Sequence, residues 1–451
     1  MDHGEKVAVI GGGYAGFAAA VTLASRGVPC ALFETGTVLG GRGRRIERDG
    51  FRLDNGQHLT LGAYTSTWRM LDTIGATPPM VRRPLSIVPF ARSMPDAIAL
   101  QAPRAPGRLG LLVGLLSARG LTWRERMANI AWFRELERTN FVRPRGETVA
   151  KLLSPLPPRV ARLLWEPLNL AALNTPAKTA SSQVFCNVLK AAFTGRGEDC
   201  DFVLPATDLS DFFPERAARY LEARAGRVSL GARAQLAAAE PSSATLVVEG
   251  RVVQASAAIV AVGPHQLERA FAKEMLAARP DLAARIAALE TLEYEPITTA
   301  WLGYGARVDM PGPIARLDDA PGQWVIDRPD VLASGEVPLA QMLAVVISAS
   351  GPHGTMTRDE LARRTDAQLR RLAPSMPALA WSLVVEEKRA TYACTPGRPR
   401  AGGPRFSPGV YLAGDYVDEA FPATLEAAVR SGIAAAEALL ADRRRRCVSD
   451  P

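Results

Sequence analysis

Cysteine is scarce in this 451-residue chain, and the five present, Cys30, Cys186, Cys200, Cys394 and Cys447, are scattered and odd in number. None pairs with another at CxxC or metal-ligand spacing, which excludes a disulfide-stapled module, predicts no metal and points to a reduced, cytosolic setting. Long apolar runs are missing as well. Nothing approaches the roughly 18 consecutive apolar residues of a membrane span. Asp2 to Lys6 leads straight into a short apolar strand, so no signal peptide is expected. Internal repeats and low-complexity tracts are absent apart from Ala-rich helices. At 47% apolar and 22% charged residues the composition is that of an ordinary globular protein, neither disordered nor collagen-like. The length suits two or three domains with a large core. Lys plus Arg (54) less Asp plus Glu (46) gives +8, compatible with nucleic acid, anionic lipid or a phosphate-bearing ligand, and by itself selecting none.

What is present begins at the N-terminus. Val7–Ile10 reads as a buried parallel strand and runs into Gly11–Gly16 (GGGYAG), after which Phe17–Arg26 reads as a helix. Gly11, Gly13 and Gly16 take the three GxGxxG positions: a tight turn, an approach to pyrophosphate, and close helix–strand packing. Tyr14 and Ala15 lie between them, where a helix N-terminus offers free N–H groups to phosphate. A second strand, Pro29–Phe33, ends in Glu34, an acid placed to bond the adenosine ribose. The alternative, a ligand-free glycine turn, does not account for strand, glycines, helix, strand and acid arriving in order.

The next segment, Leu39–Arg45 (LGGRGRR), resembles the GG-R-x-R motif of the amine-oxidase and phytoene-desaturase flavoproteins. The resemblance implies FAD as cofactor, with Gly40, Gly41, Arg42 and Arg44 along its pyrophosphate and ribityl chain; the alternative is a basic surface turn. Asp54–Leu59 (DNGQHL) and Leu61–Tyr64, with Trp165–Pro176 (WEPLNLAALNTP), narrow the resemblance to bacterial hydroxysqualene dehydroxylases. It implies that Gln57 and His58 pass near the flavin ring, that Ala234 packs on adenine, and that the strand Ala255–Gly263 lies behind the cofactor and ends at Gly263. The resemblance also implies that Gly414 and Asp415, at the end of the strand Gly409–Asp415, lie against the ribityl chain. The segment Phe421–Gly432, with Ala423 and Thr424, resembles the family helix whose N-terminus points at the flavin. Glu426 and Arg430, four apart, have the spacing of an i, i+4 ion pair.

Catalytic candidates are His58, which can change protonation near neutrality, and Glu166, a proton donor if buried. Each has a structural alternative: a loop hydrogen bond for His58 and a helix cap for Glu166. Asn169 and Asn174 are cavity polar groups or turn-formers, and Cys394 reads as a cysteine unattached to flavin.

The expected fold is α/β: a Rossmann-like FAD-binding domain of the GR2 flavoprotein type, interleaved with an α+β substrate domain. FAD-binding parts fall at 1–85, 205–268 and 400–451, and substrate-binding parts at 86–204 and 269–399. Within the latter, Leu109–Leu116 and the amphipathic helix Leu121–Arg138, surrounded by arginines, form a basic pair over 105–138. These are cap helices on spacing alone, or a peripheral contact with the inner face of the cytoplasmic membrane. The family resemblance implies reductive removal of the allylic hydroxyl of hydroxysqualene, giving squalene. A proton would assist loss of the hydroxyl and reduced flavin would deliver hydride. A carotenoid-type desaturase, a flavin amine oxidase and a non-enzymatic prenyl-lipid carrier are the rivals. No second GxGxxG is present, which points to a separate electron donor, and no nucleic-acid partner is expected.

Overall fold

The computed structural model describes residues 6–91, 94 and 96–449. Residues 2–5, on which the reading of the N-terminus partly rests, lie outside the described residues, as does the Cys447 side chain.

A six-stranded sheet organises the side that carries the N-terminal glycine loop. Its order is Arg227–Ser229, Cys30–Phe33, Val7–Ile10, Ala257–Val260, Val410–Leu412 and Arg405–Ser407, so three separate stretches of chain supply the strands. The first five run parallel and the last antiparallel. Val7–Ile10 and Ala257–Val260 are buried throughout, which is why they read as unbroken apolar runs: a central parallel strand is covered on both faces. The helix Tyr14–Ser25 is buried at 11 of its 12 positions, packed beside the C-terminal helix Leu425–Ser449. A helix enclosed on all sides has no polar face to set a period, so alanines with Phe17, Val21 and Leu23 run through it.

The second unit is a five-stranded antiparallel sheet, ordered Ile314–Arg316, Trp324–Asp327, Gln341–Ser348, Tyr294–Tyr304 and Leu379–Tyr392. Alternation along these strands divides cavity wall from core. Trp324, Ile326, Val346 and Ser348 line the cavity, while Val325, Val345 and Ile347 turn to the other face, with Leu361 and Leu369 of the helix Arg358–Leu372.

Helices Leu109–Ser117, Trp123–Arg138 and Ser182–Phe193 contribute Leu111, Phe133 and Phe185 to the hydrophobic core that also takes Trp301, Trp324 and Ile326 of this sheet. Trp123–Arg138 starts two residues later than its apolar pattern, because Thr122 and Glu125 form a reciprocal capping box ahead of it. Ala161–Trp165 is a π-turn leading into the helix Glu166–Leu173. Pro167 lacks the N–H needed to continue regular α bonding there. The segment Phe421–Gly432 becomes helical only at Leu425, with the Thr424 hydroxyl accepting from the Ala427 N–H. Arg443–Arg446 continues this helix with Arg444 and Arg445 exposed, and Arg443 bonds Ser256.

Candidate functional site

One large cavity, about 1150 Å3, lies between the two sheets. At one end the two glycine loops form its floor. Gly40 donates to the Gly12 carbonyl at 2.9 Å, and Gly13 and Gly40 pair as a single parallel bridge. This close stitching needs glycine. A Cβ at Gly11 (φ +113°) would fall 2.5 Å from the Ala261 carbonyl oxygen, and one at Gly40 (φ +118°) would fall 2.3 Å from that of Gly43. Gly13 caps the helix Tyr14–Ser25 without a side chain, and no acid occupies its first turn, so those N–H groups remain for an anion. Tyr14 and Ala15 line the cavity here, but the Tyr14 hydroxyl is committed to the Leu209 carbonyl at 2.8 Å. Glu34 is held at the rim by the N–H groups of Gly12 and Gly36, each at 2.6 Å, beside Ala234 and the exposed Arg233. Gly263 lines the same end.

Farther in, Arg42 is ion-paired with Asp415 at 2.6 Å and also donates to the Ala390 carbonyl. Both side chains line the cavity, but they face each other before any ligand, whereas the sequence suggested phosphate for one and a ribityl hydroxyl for the other. Arg44 donates to the Gly41 carbonyl and lies along the cavity. Gly414 is anchored by the Ser431 hydroxyl, and Ala423, Thr424 and Leu425 bring the start of the C-terminal helix to the wall. Glu426 and Arg430 do not pair, which corrects the i, i+4 expectation. The buried Glu426 carboxylate accepts from the Ser66 and Thr67 N–H groups and the Thr67 hydroxyl, capping the helix Thr65–Thr73. Arg430 pairs instead with Asp418 at 2.6 Å.

The loop Asp54–His58 crosses the middle of the cavity, fixed by residues far away in sequence. Asn55 donates to Glu387 at 2.7 Å, and the Gln57 N–H to the Thr299 hydroxyl at 3.0 Å. Arg328, 2% exposed, reaches Asp54 at 3.1 Å and the Gln57 side-chain oxygen at 2.6 Å, and forks onto Asp330 at 2.9 and 2.7 Å. Burial alone would lower the Arg328 pKa, but Asp330 and Asp54 outweigh it and keep the guanidinium charged. The Gln57 side chain is therefore tied to the scaffold: its oxygen takes Arg328 and its amide donates to the His58 carbonyl. His58 Nδ1 lies 2.7 Å from the Gly56 carbonyl. A carbonyl only accepts, so Nδ1 carries the hydrogen and neutral His58 presents a lone pair at Nε2. Burial lowers the His58 pKa, with nearby Asp54 partly opposing.

Beyond His58 the walls turn apolar, with Leu168, Phe185, Leu189, Phe193, Trp324 and Ile326. Asn174 lines this arm, yet its amide bonds Thr391 and the Glu295 and Pro296 carbonyls while its oxygen takes the Ala349 N–H. It ties a helix end to the sheet. Asn169 is fully buried and bonds the Thr175 carbonyl. Glu166 is not brought to the site: it is exposed, away from the cavity, in a helical stretch that continues from Ala161–Trp165. Cys394 is buried outside the cavity lining, its thiol pushed up to about 11 by burial.

The cradle fits FAD. It has orphan N–H groups for the pyrophosphate, a carboxylate at the rim for a ribose, and a second helix N-terminus at the far end. Residues 154–440 match the model of flavin-containing amine oxidoreductases. The chain belongs to this family. Residues 9–74 also match an NAD(P)-binding Rossmann-like domain. This family member is 28% identical over 447 residues to a hydroxysqualene dehydroxylase of Rhodopseudomonas palustris, covering 98% of this chain and 99% of that one. It is 27% identical to a hydroxysqualene dehydroxylase of Sinorhizobium fredii, covering 97% and 99%. In fold it resembles an oxidoreductase from Methanosarcina mazei, with a TM-score of 0.74 at 16% identity over 96% of this chain and all of that one. The protein is thus an FAD-dependent oxidoreductase related to hydroxysqualene dehydroxylases. No helix among the described residues is long and apolar enough to cross a membrane.

Proposed function

We propose that this protein converts hydroxysqualene to squalene by reductive dehydroxylation. The observation that carries the reading is the continuity of one cavity from the dinucleotide cradle, past His58, into an arm walled by hydrocarbon side chains. A long isoprenoid needs such an arm, and its reacting carbon must stop where the arm meets the cradle. The full-length likeness to two hydroxysqualene dehydroxylases supports the same substrate.

In the reaction the allylic C–O bond breaks with its electron pair staying on oxygen. The oxygen takes up a proton and departs as water, and the delocalised cation accepts a hydride at carbon. FAD, when bound and reduced, supplies that hydride. The chain's own residues do the rest. The apolar arm excludes water that would recapture the cation. Gly11–Gly16, Glu34, Gly40–Arg44, Asp415 and the Thr424 end of the C-terminal helix would hold the cofactor. His58 is the ionisable group assigned to the leaving hydroxyl, and it donates after taking a proton at Nε2. The reductant comes from outside the chain.

The test is anaerobic incubation of the reduced holoprotein with hydroxysqualene, followed by mass analysis of the extracted lipid. Squalene is the expected product. Unchanged hydroxysqualene, together with desaturation of phytoene or oxidation of an amine by the oxidised holoprotein, would replace this reading. A protein that neither copurifies with flavin nor can be reconstituted with it would be a lipid carrier instead.

A further inference from the structure

Large apolar side chains left in water on this protein are concentrated in one place. Among the described residues nine are exposed, and six of them, Leu109, Val113, Leu116, Trp123, Met127 and Val142, lie on one helical hairpin and its exit. Leu109, Val113 and Leu116 follow the i, i+4, i+7 spacing on the outer face of Leu109–Ser117, whose Leu111 and Leu115 point inward. Trp123, 65% exposed, and Met127 repeat the pattern on the next helix. A contiguous exposed apolar face rimmed by polar residues marks a binding surface.

The charge around this face has one sign. Each acid of the hairpin and its exit is already neutralised: Glu125 by Arg159 at 3.1 Å, Glu135 by Arg138 at 2.7 Å, Glu137 by Arg108 and Glu147 by Arg143, both at 2.8 Å. The guanidiniums of Arg119, Arg124, Arg134 and Arg145 are exposed and make no hydrogen bond or ion pair among the described residues, although the Arg119 backbone bridges to Ala99. An apolar stripe with four uncompensated guanidiniums matches a surface that is hydrocarbon below and anionic above. Trp123 suits the boundary between the two.

The inner side of the hairpin leads to the cavity. Phe133 meets the ring of Phe193 edge-on at 6.1 Å, and Phe193 lines the apolar arm. The Gly107 N–H bonds the Gly195 carbonyl, joining the hairpin's base to the end of the same cavity helix.

We infer that the outer face of residues 109–142 docks into the headgroup–acyl boundary of an anionic lipid bilayer. A lipid-soluble substrate then passes beneath the hairpin into the apolar arm. The route, though not the docking, rests on the function proposed above. Each free arginine multiplies partitioning onto anionic lipid by roughly fivefold.

The test is flotation of the holoprotein with vesicles of phosphatidylcholine alone or containing phosphatidylglycerol. Holoprotein is expected to float with the anionic vesicles at least tenfold better than with the neutral ones, and high salt should weaken that binding. Trp123→Ser with Met127→Ser, and separately Arg124→Glu with Arg134→Glu, should each cut flotation tenfold or more. Bound flavin, the far-ultraviolet spectrum and turnover of detergent-dispersed substrate should stay unchanged. Absence of flotation on every vesicle, or flotation indifferent to both double variants, would overturn the inference. So would a dimer by light scattering that the Ser variant dissociates while vesicles bind neither form. Flotation needs no substrate, so docking without any dehydroxylation would refute the proposed function and leave this surface standing.

Discussion

Replacing Arg328 with leucine should be among the most damaging single changes outside the cofactor cradle. The guanidinium makes two bonds to Asp330 and one each to Asp54 and Gln57. The two carboxylates it leaves behind differ. The Asp330 side chain is 15% exposed and can recruit water, whereas that of Asp54 is 2% exposed and cannot. Removing one partner of such a buried pair costs about 3–5 kcal/mol, chiefly through the charge left uncompensated. Urea unfolding followed by tryptophan fluorescence at pH 7 should show a loss of that size. The double variant Arg328→Leu with Asp54→Asn should recover about 1.5 kcal/mol or more, as expected for directly coupled neighbours. Asparagine is neutral and its oxygen still accepts the Leu209 N–H that Asp54 now takes at 2.8 Å. A single variant losing under about 1 kcal/mol, or a double variant no more stable than the single, would refute the claim that Arg328 exists to neutralise and hold the loop before His58.

Three further outcomes are expected. Glu426→Gln keeps only one acceptor oxygen where the Ser66 and Thr67 N–H groups now take one each, so one N–H faces an amide donor; stability should fall by about 1–3 kcal/mol, read from the same urea titration, and an unchanged midpoint would contradict the capping role. His58, His265 and His353 all have their pKa lowered, by burial first, so the unfolded chain binds more protons than the folded one just below the ordinary histidine value of about 6.5. Stability should therefore fall as pH drops through and below that value, and a urea midpoint that rises from pH 7.5 to 5.5 would contradict it. Turnover dependent on protonated His58 should fall as pH rises through a value below 6.5, and His58→Ala should abolish that limb while retaining flavin.

The sequence displayed the nucleotide-binding side because its constraints are local. A turn that puts backbone 2.5 Å from a would-be Cβ permits only glycine, and a fully buried parallel strand permits only apolar residues, so both are visible within a few positions. The middle of the site was illegible for the opposite reason. Arg328, Thr299 and Glu387 act on the Asp54–His58 loop from 242 to 332 positions away, and nothing in their own neighbourhoods distinguishes them from surface residues. Glu426 illustrates how spacing misleads. An acid and an arginine four apart on a helix imply a pair, but the acid points to a neighbouring helix end and the arginine to Asp418. Glu166 drew attention through the motif containing it, and only the packing of its helix reveals that it faces solvent. Trp324 and Val325 look alike in sequence, yet alternation puts one on the cavity and the other in the core.

The central claim, that one cavity joins cofactor and hydrocarbon for a reductive reaction, is tested most directly by stoichiometry. Anaerobic holoprotein, fully reduced and freed of excess reductant, would be mixed with hydroxysqualene while flavin absorbance is followed and squalene is measured in the same sample. The account predicts one squalene formed for each flavin reoxidised, with both amounts rising together. Flavin that stays reduced over unchanged substrate, or squalene appearing without flavin reoxidation, would contradict it.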